Sequence, residues 1–294
     1  DLVRSRGLGD VYKRQVTSWI SLEKTWPCVA DPRWNLAKRQ PNIPIAAEHS
    51  LGGMKMNVNT SVNRPGEKSD LNRRIRRRLL QVVLQSLIIA AILFALSGRL
   101  DWMWAWAYLG VGAVLLVVNL FVMSPELIAE RGEVKENAKA WDKALASIVG
   151  VLALGIFVVV GLDERFGWSP QLDLAIHLAA LISYALGQGL FTWAMASNKF
   201  FSSVVRIQMD RDQTVATGGP YRYVRHPGYA GYIISFFIAT PLALGSLWAL
   251  IPGALGTLLL ILRTALEDRT LLEELDGYKE YAKRVRHRLL PGIW

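Results

Sequence analysis

Two short stretches near the end of the chain carry side chains suited to proton transfer and to the binding of a charged ligand. The first, residues 213–232, reads QTVATGGPYRYVRHPGYAGY and places His226, whose imidazole can accept or donate a proton, directly before Pro227. In the second, Arg263 and Glu267 lie four residues apart, so a helix presents both charges on one face. A base, a cation and a carboxylate are therefore available to one ligand, if the two stretches meet in space.

Long uncharged runs precede and separate these stretches. Four of them are long enough to cross a hydrocarbon core as helices: Leu79–Ser97, Trp102–Met123, Ala144–Leu162 and Leu174–Ala196. A further uncharged stretch, Tyr229–Leu262, is interrupted by Pro and Gly, which predicts a tight helical hairpin with arms of about 24 Å. The predicted fold class is all-α: a polytopic integral membrane protein with four transmembrane helices, a short helical hairpin and a cytoplasmic C-terminal helix.

The composition agrees with a membrane protein. Hydrophobic residues make up 52% of the 294 residues and charged residues only 20%, whereas soluble domains are closer to one quarter charged. This balance argues against a soluble enzyme, and the single cysteine, Cys28, excludes a disulfide-stapled secreted module. The four histidines are scattered without metal-ligand spacing, so no metal site is predicted.

The net charge of +10 is concentrated at the start of the chain. Residues 1–78 carry 16 Lys and Arg against 7 Asp and Glu, so the rest of the chain is nearly neutral, which argues against nucleic-acid binding. We predict that residues 1–78 are a disordered basic segment. Residues 2–15 resemble a translated sequencing-adaptor leader, so we expect residues 1–53 to be artefactual and the physiological start to be Met54 or Met56. A genuine flexible extension is the alternative.

Basic residues alternate between the two sides of the predicted spans. The outer loops hold only Arg99 and Arg165, whereas the other loops and the C-terminal tail are rich in Lys and Arg. By the positive-inside rule, both termini are predicted to be cytoplasmic. The polar segments then share the cytoplasmic side: Ser124–Lys143, Ser197–Gly228 and Arg263–Trp294. Irregular backbone at membrane depth must be buried or line a cavity, so we expect a cavity there.

Several motifs together resemble one protein family. The string GPYRYVRHPGYAG, the hairpin, the R-x-x-x-E-D sequence after it and the terminal YKEYAKRVRHRLLPGIW resemble the isoprenylcysteine carboxyl methyltransferase family, in its bacterial branch. The likeness is close over residues 197–294 and looser before them. It implies an S-adenosylmethionine-dependent integral-membrane methyltransferase, related to membrane phospholipid methyltransferases and located in the bacterial inner membrane. The implied domains are a four-helix transmembrane region, 79–196, and a cofactor-binding region with the membrane hairpin, 197–294.

The resemblance also implies which residues act. The implied cofactor-binding residues are Arg206, Gln213, Thr214, Val215, Ala216, Tyr221, His226, Pro227, Gly228, Tyr229 and Glu267. The implied catalytic residues are Arg225, His226 and Arg263, the last facing the acceptor. Many relatives have His where this chain has Gln213. Glutamine cannot titrate near neutrality, so this side chain is expected to contact the cofactor and not to transfer a proton.

The methyl acceptor is left open. A carboxylate acceptor needs only an orienting cation, for which Arg263 has the right bidentate geometry. An amine or thiol acceptor must lose a proton, with His226 or Tyr229 as the candidate base. The expected partners are the lipid bilayer and a lipophilic or prenylated acceptor, and the sequence does not indicate an oligomeric state. His226 and backbone amides are expected to hold the cofactor carboxylate or the adenine edge.

Other functions compete with this interpretation. One rival is a membrane sterol or steroid reductase that uses NADPH, and another is a transporter or scaffold without enzymatic activity. Arg225 and His226 then act as interfacial cations, and Arg263–Glu267 as an ordinary surface pair. In the fourth run, Gly187 and Gly189 are expected to allow close helix packing, with a substrate tunnel as the alternative.

Overall fold

The computed structural model describes residues 65–130 and 139–294, and within them the regular structure is helical throughout. Residues 1–64, which hold most of the predicted disordered segment, lie outside the described residues, as do residues 131–138 of the polar segment Ser124–Lys143. The described residues before position 197 form five α-helices: α1 (Pro65–Ser97), α2 (Met103–Val122), α3 (Pro125–Glu130), α4 (Ala140–Phe166) and α5 (Leu174–Ala196).

The second half begins with a long irregular loop, which short 3₁₀ turns interrupt at Met209–Arg211 and Gly219–Arg222. The first arm of the hairpin follows as α6 (Pro227–Tyr232), a π-helical segment (Ile233–Ala239) and α7 (Thr240–Ala243). Its second arm is α8 (Leu250–Glu274), and a short helix, α9 (Tyr278–Arg284), precedes the C-terminal segment.

The four predicted spans are confirmed as helices, but the hairpin differs from the prediction. Among the described residues, five helices are long and apolar enough to cross a membrane, and α8 is the fifth. The uncharged run ends at Leu262, yet the residues after it, RTALEDRTLLEE, are good helix formers without Gly or Pro. The helix therefore continues to Glu274, and the second arm is about 37 Å long instead of about 24 Å.

The first helix also begins earlier than predicted. Residues 65–78 were assigned to the disordered segment because they are strongly charged, but α1 includes them. Proline is well tolerated in the first turn of a helix, and the residues that follow Pro65 include many Arg and Leu, which favour helix.

A buried carboxylate fixes the turn of the hairpin to the far end of α4. Asp163 accepts hydrogen bonds from the Ser246 hydroxyl at 2.5 Å, and from the amide and hydroxyl of Ser169 at 2.7 and 2.6 Å. The turn itself needs a left-handed residue, which Gly245 supplies at φ +86°. The hairpin thus extends to the end of α4 instead of stopping partway along it.

Close backbone contact joins α5 to the first arm of the hairpin. A Cβ atom added at Gly187 would lie 2.8 Å from the Gly231 carbonyl oxygen and 2.9 Å from the Ser235 nitrogen. At Gly189, two residues away, nothing lies within 4 Å of the added atom. The close-packing prediction is therefore confirmed for Gly187, whereas Gly189 plays no part in the contact.

We expect Gly187→Ala to lower the free energy of unfolding by about 1–3 kcal/mol, because the new methyl group meets rigid backbone. Gly189→Ala is the matched control in the same helix, and it should be neutral or slightly stabilising because Ala favours helix. Thermal unfolding of both variants in detergent tests this, and equal melting temperatures would contradict the packing described for Gly187.

Candidate functional site

A cavity of about 300 Å³ lies at the end of α4 opposite the hairpin turn. It is enclosed by the 197–226 loop, the first turns of α4, the last turns of α8, and α9. Twelve of the predicted site residues line it: Arg206, Gln213, Thr214, Val215, Ala216, Tyr221, Arg225, His226, Gly228, Tyr229, Arg263 and Glu267. Pro227 does not line the cavity and is instead buried in the first turn of α6. The structure thus brings the two polar stretches together, while the role of each residue stays a prediction.

Tyr229 joins the two stretches directly. Its hydroxyl donates a hydrogen bond of 2.5 Å to Oε2 of Glu267, whose side chain is 23% exposed. The His226 ring lies nearly parallel to the Tyr229 ring, with centroids 5.9 Å apart, and its Nδ1 is 4.0 Å from Oε1 of Glu267. The Glu267 carboxylate therefore keeps one oxygen that Tyr229 does not bond.

Behind the cavity, the Asp268 carboxylate contacts several cationic and aromatic side chains. This fully buried carboxylate accepts from His226 Nε2 at 3.2 Å and from the Tyr278 hydroxyl at 2.9 Å. It also contacts the guanidinium groups of Arg225 at 3.1 Å and Arg288 at 2.9 Å. A proton on Nε2 of His226 satisfies Asp268 and leaves Nδ1 as the basic nitrogen on the Glu267 side. Sequence reasoning missed Asp268, although it directly follows Glu267.

The C-terminal segment closes the back of the site through its backbone. The amide of Arg225 donates to the His287 carbonyl at 3.0 Å, and the amide of His226 donates to the Arg288 carbonyl at 2.8 Å. These two amides therefore already have acceptors inside the protein. The reason is that the chain after α9 folds back beside the R-H-P sequence.

Arg263 is bound to α4 and not to its neighbour one turn away. Its Nε donates to Asp142 at 2.7 Å, and its Nη2 donates to the Ser203 carbonyl at 2.9 Å. Asp142 is fully buried and also accepts from the amide of Val205 at 2.8 Å. Arg263 therefore pairs with Asp142 and not, as the rival interpretation has it, with Glu267. An acidic residue in the first turn of a membrane helix was the sequence signal for Asp142.

The loop residues of the predicted set have structural partners. Oε1 of Gln213 accepts from the Gln208 amide at 2.7 Å, so this side chain fastens the loop as well as lining the cavity. The Tyr221 hydroxyl accepts from the Asn198 side chain at 3.3 Å, and the Tyr221 carbonyl accepts from the Tyr281 hydroxyl at 2.8 Å. Burial raises the pKa of Tyr221, which keeps its ring neutral.

Tyr278 stays a hydrogen-bond donor at all physiological pH values. Burial raises the pKa of its hydroxyl, and the adjacent Asp268 carboxylate raises that pKa further. The Asp268–Tyr278 contact is therefore independent of pH in the range where the protein functions.

One buried donor in the site lacks an acceptor. The Nε–H of Arg225 is buried and has no hydrogen-bond partner among the residues that the structure describes, although Arg225 lines the cavity. A buried donor of this kind costs free energy unless a ligand or water satisfies it. The donor set of the cavity therefore fits a ligand with an anionic group, and Glu267 on another wall fits a cationic or hydroxyl group.

A second cavity, of about 500 Å³, lies among the membrane helices. It is lined mainly by apolar residues of α1, α2 and α5. Its polar lining side chains are Arg78, Gln85, Ser86, Tyr108, Asn119, Tyr184 and Gln188. Phe191 lines both cavities, so its side chain is part of the wall of the polar site and of the apolar space.

Comparisons with known proteins give a consistent result. The model of the isoprenylcysteine carboxyl methyltransferase (ICMT) family matches residues 179–273. The chain is 33% identical over 117 residues to a protein-S-isoprenylcysteine O-methyltransferase of Schizosaccharomyces pombe, covering 36% of this chain and 46% of that protein. It is 36% identical over 192 residues to methanethiol S-methyltransferase 1 of Bradyrhizobium diazoefficiens, covering 59% of this chain and 66% of that protein. The matches span less than two thirds of the length of either relative.

Proposed function

Because this chain belongs to the isoprenylcysteine carboxyl methyltransferase family, we propose that it transfers a methyl group from S-adenosylmethionine to an acceptor that enters from the membrane. The observation that carries the proposal is that His226 and Glu267, from separate stretches of the chain, line one cavity together with the unsatisfied Arg225 Nε–H. A cavity of about 300 Å³ is at the small end of the range of ligand sites in proteins.

The residues present fit this cofactor. Arg206 and Arg225 are suited to its carboxylate, and Glu267 to its ammonium group or ribose hydroxyls. The rings of Tyr221 and Tyr229 offer faces to the sulfonium or to adenine. When bound, the cofactor supplies an electrophilic methyl group on a sulfonium sulfur. The task of the protein is then mainly to align an acceptor with that methyl group and to exclude water.

His226 is suited to remove a proton from the acceptor. Asp268 holds its Nε2–H in place, so Nδ1 is the nitrogen that can accept a proton, and the carboxylate stabilises the imidazolium that results. Tyr229 is less suited to this role, because its hydroxyl already donates to Glu267. A carboxylate acceptor would not use this base at neutral pH.

The acceptor is proposed to reach the site through the second cavity. The names of the two relatives point to an oxygen acceptor in one case and a sulfur acceptor in the other, so both remain open for this chain. The largely apolar walls of the second cavity suit a molecule that partitions into the bilayer. Phe191 lines both cavities, and the proposed route runs past its side chain.

We expect Phe191→Trp to raise the KM for the acceptor by about tenfold, because the larger ring narrows the passage between the cavities. The Kd for S-adenosylhomocysteine should change by less than about threefold. Leu186→Trp, at a position of α5 that is 69% exposed, is the matched control and should leave both constants unchanged. Equal effects of the two variants would contradict this route.

The membrane orientation is part of the proposal. The basic loops support a cytoplasmic location for both termini and for the cavity, and the bacterial inner membrane is the proposed compartment. Single cysteines placed at Gly167 and at Arg222 of a Cys28→Ser background test the orientation. Only the cysteine at position 222 should be protected from an impermeant maleimide in intact cells.

The function itself is tested by ligand binding and by product analysis. Calorimetry of the purified full-length protein should show binding of S-adenosylhomocysteine and none of NADPH. Membrane extracts incubated with the protein and methyl-labelled S-adenosylmethionine should then yield a labelled product by mass spectrometry. Binding of NADPH alone would indicate a reductase instead, and binding of neither compound would favour a transporter or scaffold.

A further inference from the structure

Among the described residues, a single charged side chain lines the second cavity, and it lies at one end. Arg78 of α1 shares that end with Met123, Ile128 and Met195, which follow α2, belong to α3 and end α5. The loop that encloses the polar cavity begins directly after α5. Arg78 therefore lies at the end of the helix bundle that also carries the polar cavity.

Arg78 has no counter-charge within the described part of the protein. It is half-buried, and it forms no hydrogen bond or ion pair with the residues that the structure describes. Among the described residues that line the cavity, none is acidic. A cation that is partly withdrawn from water and lacks a partner favours an anion beside it. The planar N–H groups of a guanidinium suit the oxygens of a phosphate in particular.

The rest of the cavity is mainly apolar and is about as long as one lipid leaflet is thick. Along α1 the lining extends from Arg78 to Ala90, which is about 18 Å at the rise of an α-helix. The hydrocarbon of one leaflet is about 15 Å thick. The Asn119 and Gln188 side chains, which interrupt the apolar lining, both form hydrogen bonds within the protein. A hydrocarbon chain whose polar end is at Arg78 therefore fits along the cavity.

The cavity opens sideways to the membrane. Three apolar residues of its lining, Val83, Leu87 and Leu120, are 48%, 61% and 42% exposed. They belong to α1 and α2, which are long and apolar enough to cross a membrane. Exposed apolar side chains on such helices contact lipid in a bilayer. A lipid molecule can therefore enter the cavity from the side.

We propose that the second cavity binds an anionic phospholipid, with its head group on Arg78 and one acyl chain between α1, α2 and α5. Basic pockets between membrane helices are known to bind anionic head groups. The volume of about 500 Å³ is within the range of ligand sites in proteins. Because the proposed acceptor route runs through the same cavity, a bound lipid and an acceptor exclude each other there.

The test compares lipids that differ only in the charge of the head group. Purified full-length protein is mixed with equal amounts of phosphatidylglycerol, which is anionic, and phosphatidylcholine, which is zwitterionic, with identical chains. Native mass spectrometry then counts the lipids that stay bound. One arginine near the membrane surface favours an anionic lipid about fivefold, so we expect retention of phosphatidylglycerol to be greater by at least that factor. Equal retention of the two lipids would overturn the proposal.

Two neighbouring arginines separate a site at Arg78 from general surface charge. Arg78→Gln should bring the ratio of retained lipids to about one. Arg77→Gln is the matched control, because Arg77 is exposed and does not line the cavity, and it should keep the wild-type ratio. An equal loss in both variants would show that the preference comes from the basic surface as a whole and would contradict the proposal.

The position of the acyl chain is tested without changing Arg78. Ala113→Phe narrows the cavity and should lower the retention of both lipids at least about threefold. Val114→Phe is the control, because Val114 is exposed and does not line the cavity. Equal retention by these two variants would place the chain elsewhere and overturn the proposal. Melting temperatures without added lipid show whether each variant is folded, and this second pair decides the matter if Arg78→Gln is not.

A soluble head-group analogue distinguishes a lipid site from a phosphate site. Glycerol phosphate lacks the acyl chains, so an excess of it should leave phosphatidylglycerol bound. Displacement of the lipid by glycerol phosphate would show that the chain contributes nothing and would contradict the proposal. None of these measurements uses the cofactor, so lipid binding and the proposed methyl transfer are tested separately.

Discussion

Asp268→Asn should abolish binding of S-adenosylhomocysteine and lower the free energy of unfolding by about 3–5 kcal/mol, the cost typical of breaking a buried ion pair by removing one partner. The carboxylate of Asp268 is fully buried and contacts Arg225, His226, Tyr278 and Arg288. An amide of the same shape leaves two guanidinium charges uncompensated. It also keeps only one acceptor oxygen, which cannot serve both His226 with Tyr278 on one side and the two arginines on the other.

Glu273→Gln is the matched control for this variant. Glu273 lies on the same helix and forms an ion pair with Arg269, but both side chains are largely exposed. Exposed pairs contribute about 0–1 kcal/mol, so the control should keep wild-type stability and cofactor affinity. Thermal unfolding and calorimetry in the same detergent measure both effects. Normal cofactor binding by Asp268→Asn would show that the charges behind the cavity do not organise it.

The membrane helices were predictable because each is an uncharged run of the length that a bilayer requires. The position of the hairpin was predicted, but its length was not. The predicted arm ended at the first charged residue, whereas the helix continues for as long as the residues favour helical backbone. Once α8 leaves the uncharged run at Leu262, it continues through Arg263 and Glu267 because no Gly or Pro interrupts it.

The lining of the cavity was predictable from the motifs, and its supporting groups were not. Eleven of the twelve lining residues lie in the two stretches that the motifs mark, and Arg206 lies shortly before the first of them. Asp142 lies more than a hundred residues before Arg263 in the chain, and no spacing rule links them. Such long-range pairs depend on which helices pack together, and the hydrophobic pattern of lipid-facing helices carries little of that information.

Glu267→Gln should chiefly weaken cofactor binding, whereas Arg263→Lys should chiefly slow methyl transfer. Glu267→Gln keeps an acceptor for the Tyr229 hydroxyl but removes the charge proposed to bind the cofactor ammonium or ribose. Hydrogen bonds to charged groups contribute about 1.5–3 kcal/mol, so the Kd for S-adenosylhomocysteine should rise about 10- to 100-fold. Arg263→Lys keeps the charge that pairs with Asp142 but loses the planar fork. Its cofactor affinity should change by less than about threefold, while the methyl-transfer rate falls at least about tenfold.

The lysine variant is the sharper choice at position 263, because Arg263→Ala would leave Asp142 buried without a partner and confound turnover with folding. Calorimetry gives the cofactor Kd, and single-turnover kinetics with saturating cofactor gives the methyl-transfer rate. The two sites lie one helical turn apart on α8, yet Glu267 contacts Tyr229 while Arg263 contacts α4 and the loop carbonyl of Ser203. Loss of cofactor binding in Arg263→Lys, with normal cofactor binding in Glu267→Gln, would contradict this division. Arg263 would then be assigned to the cofactor and Glu267 to the acceptor.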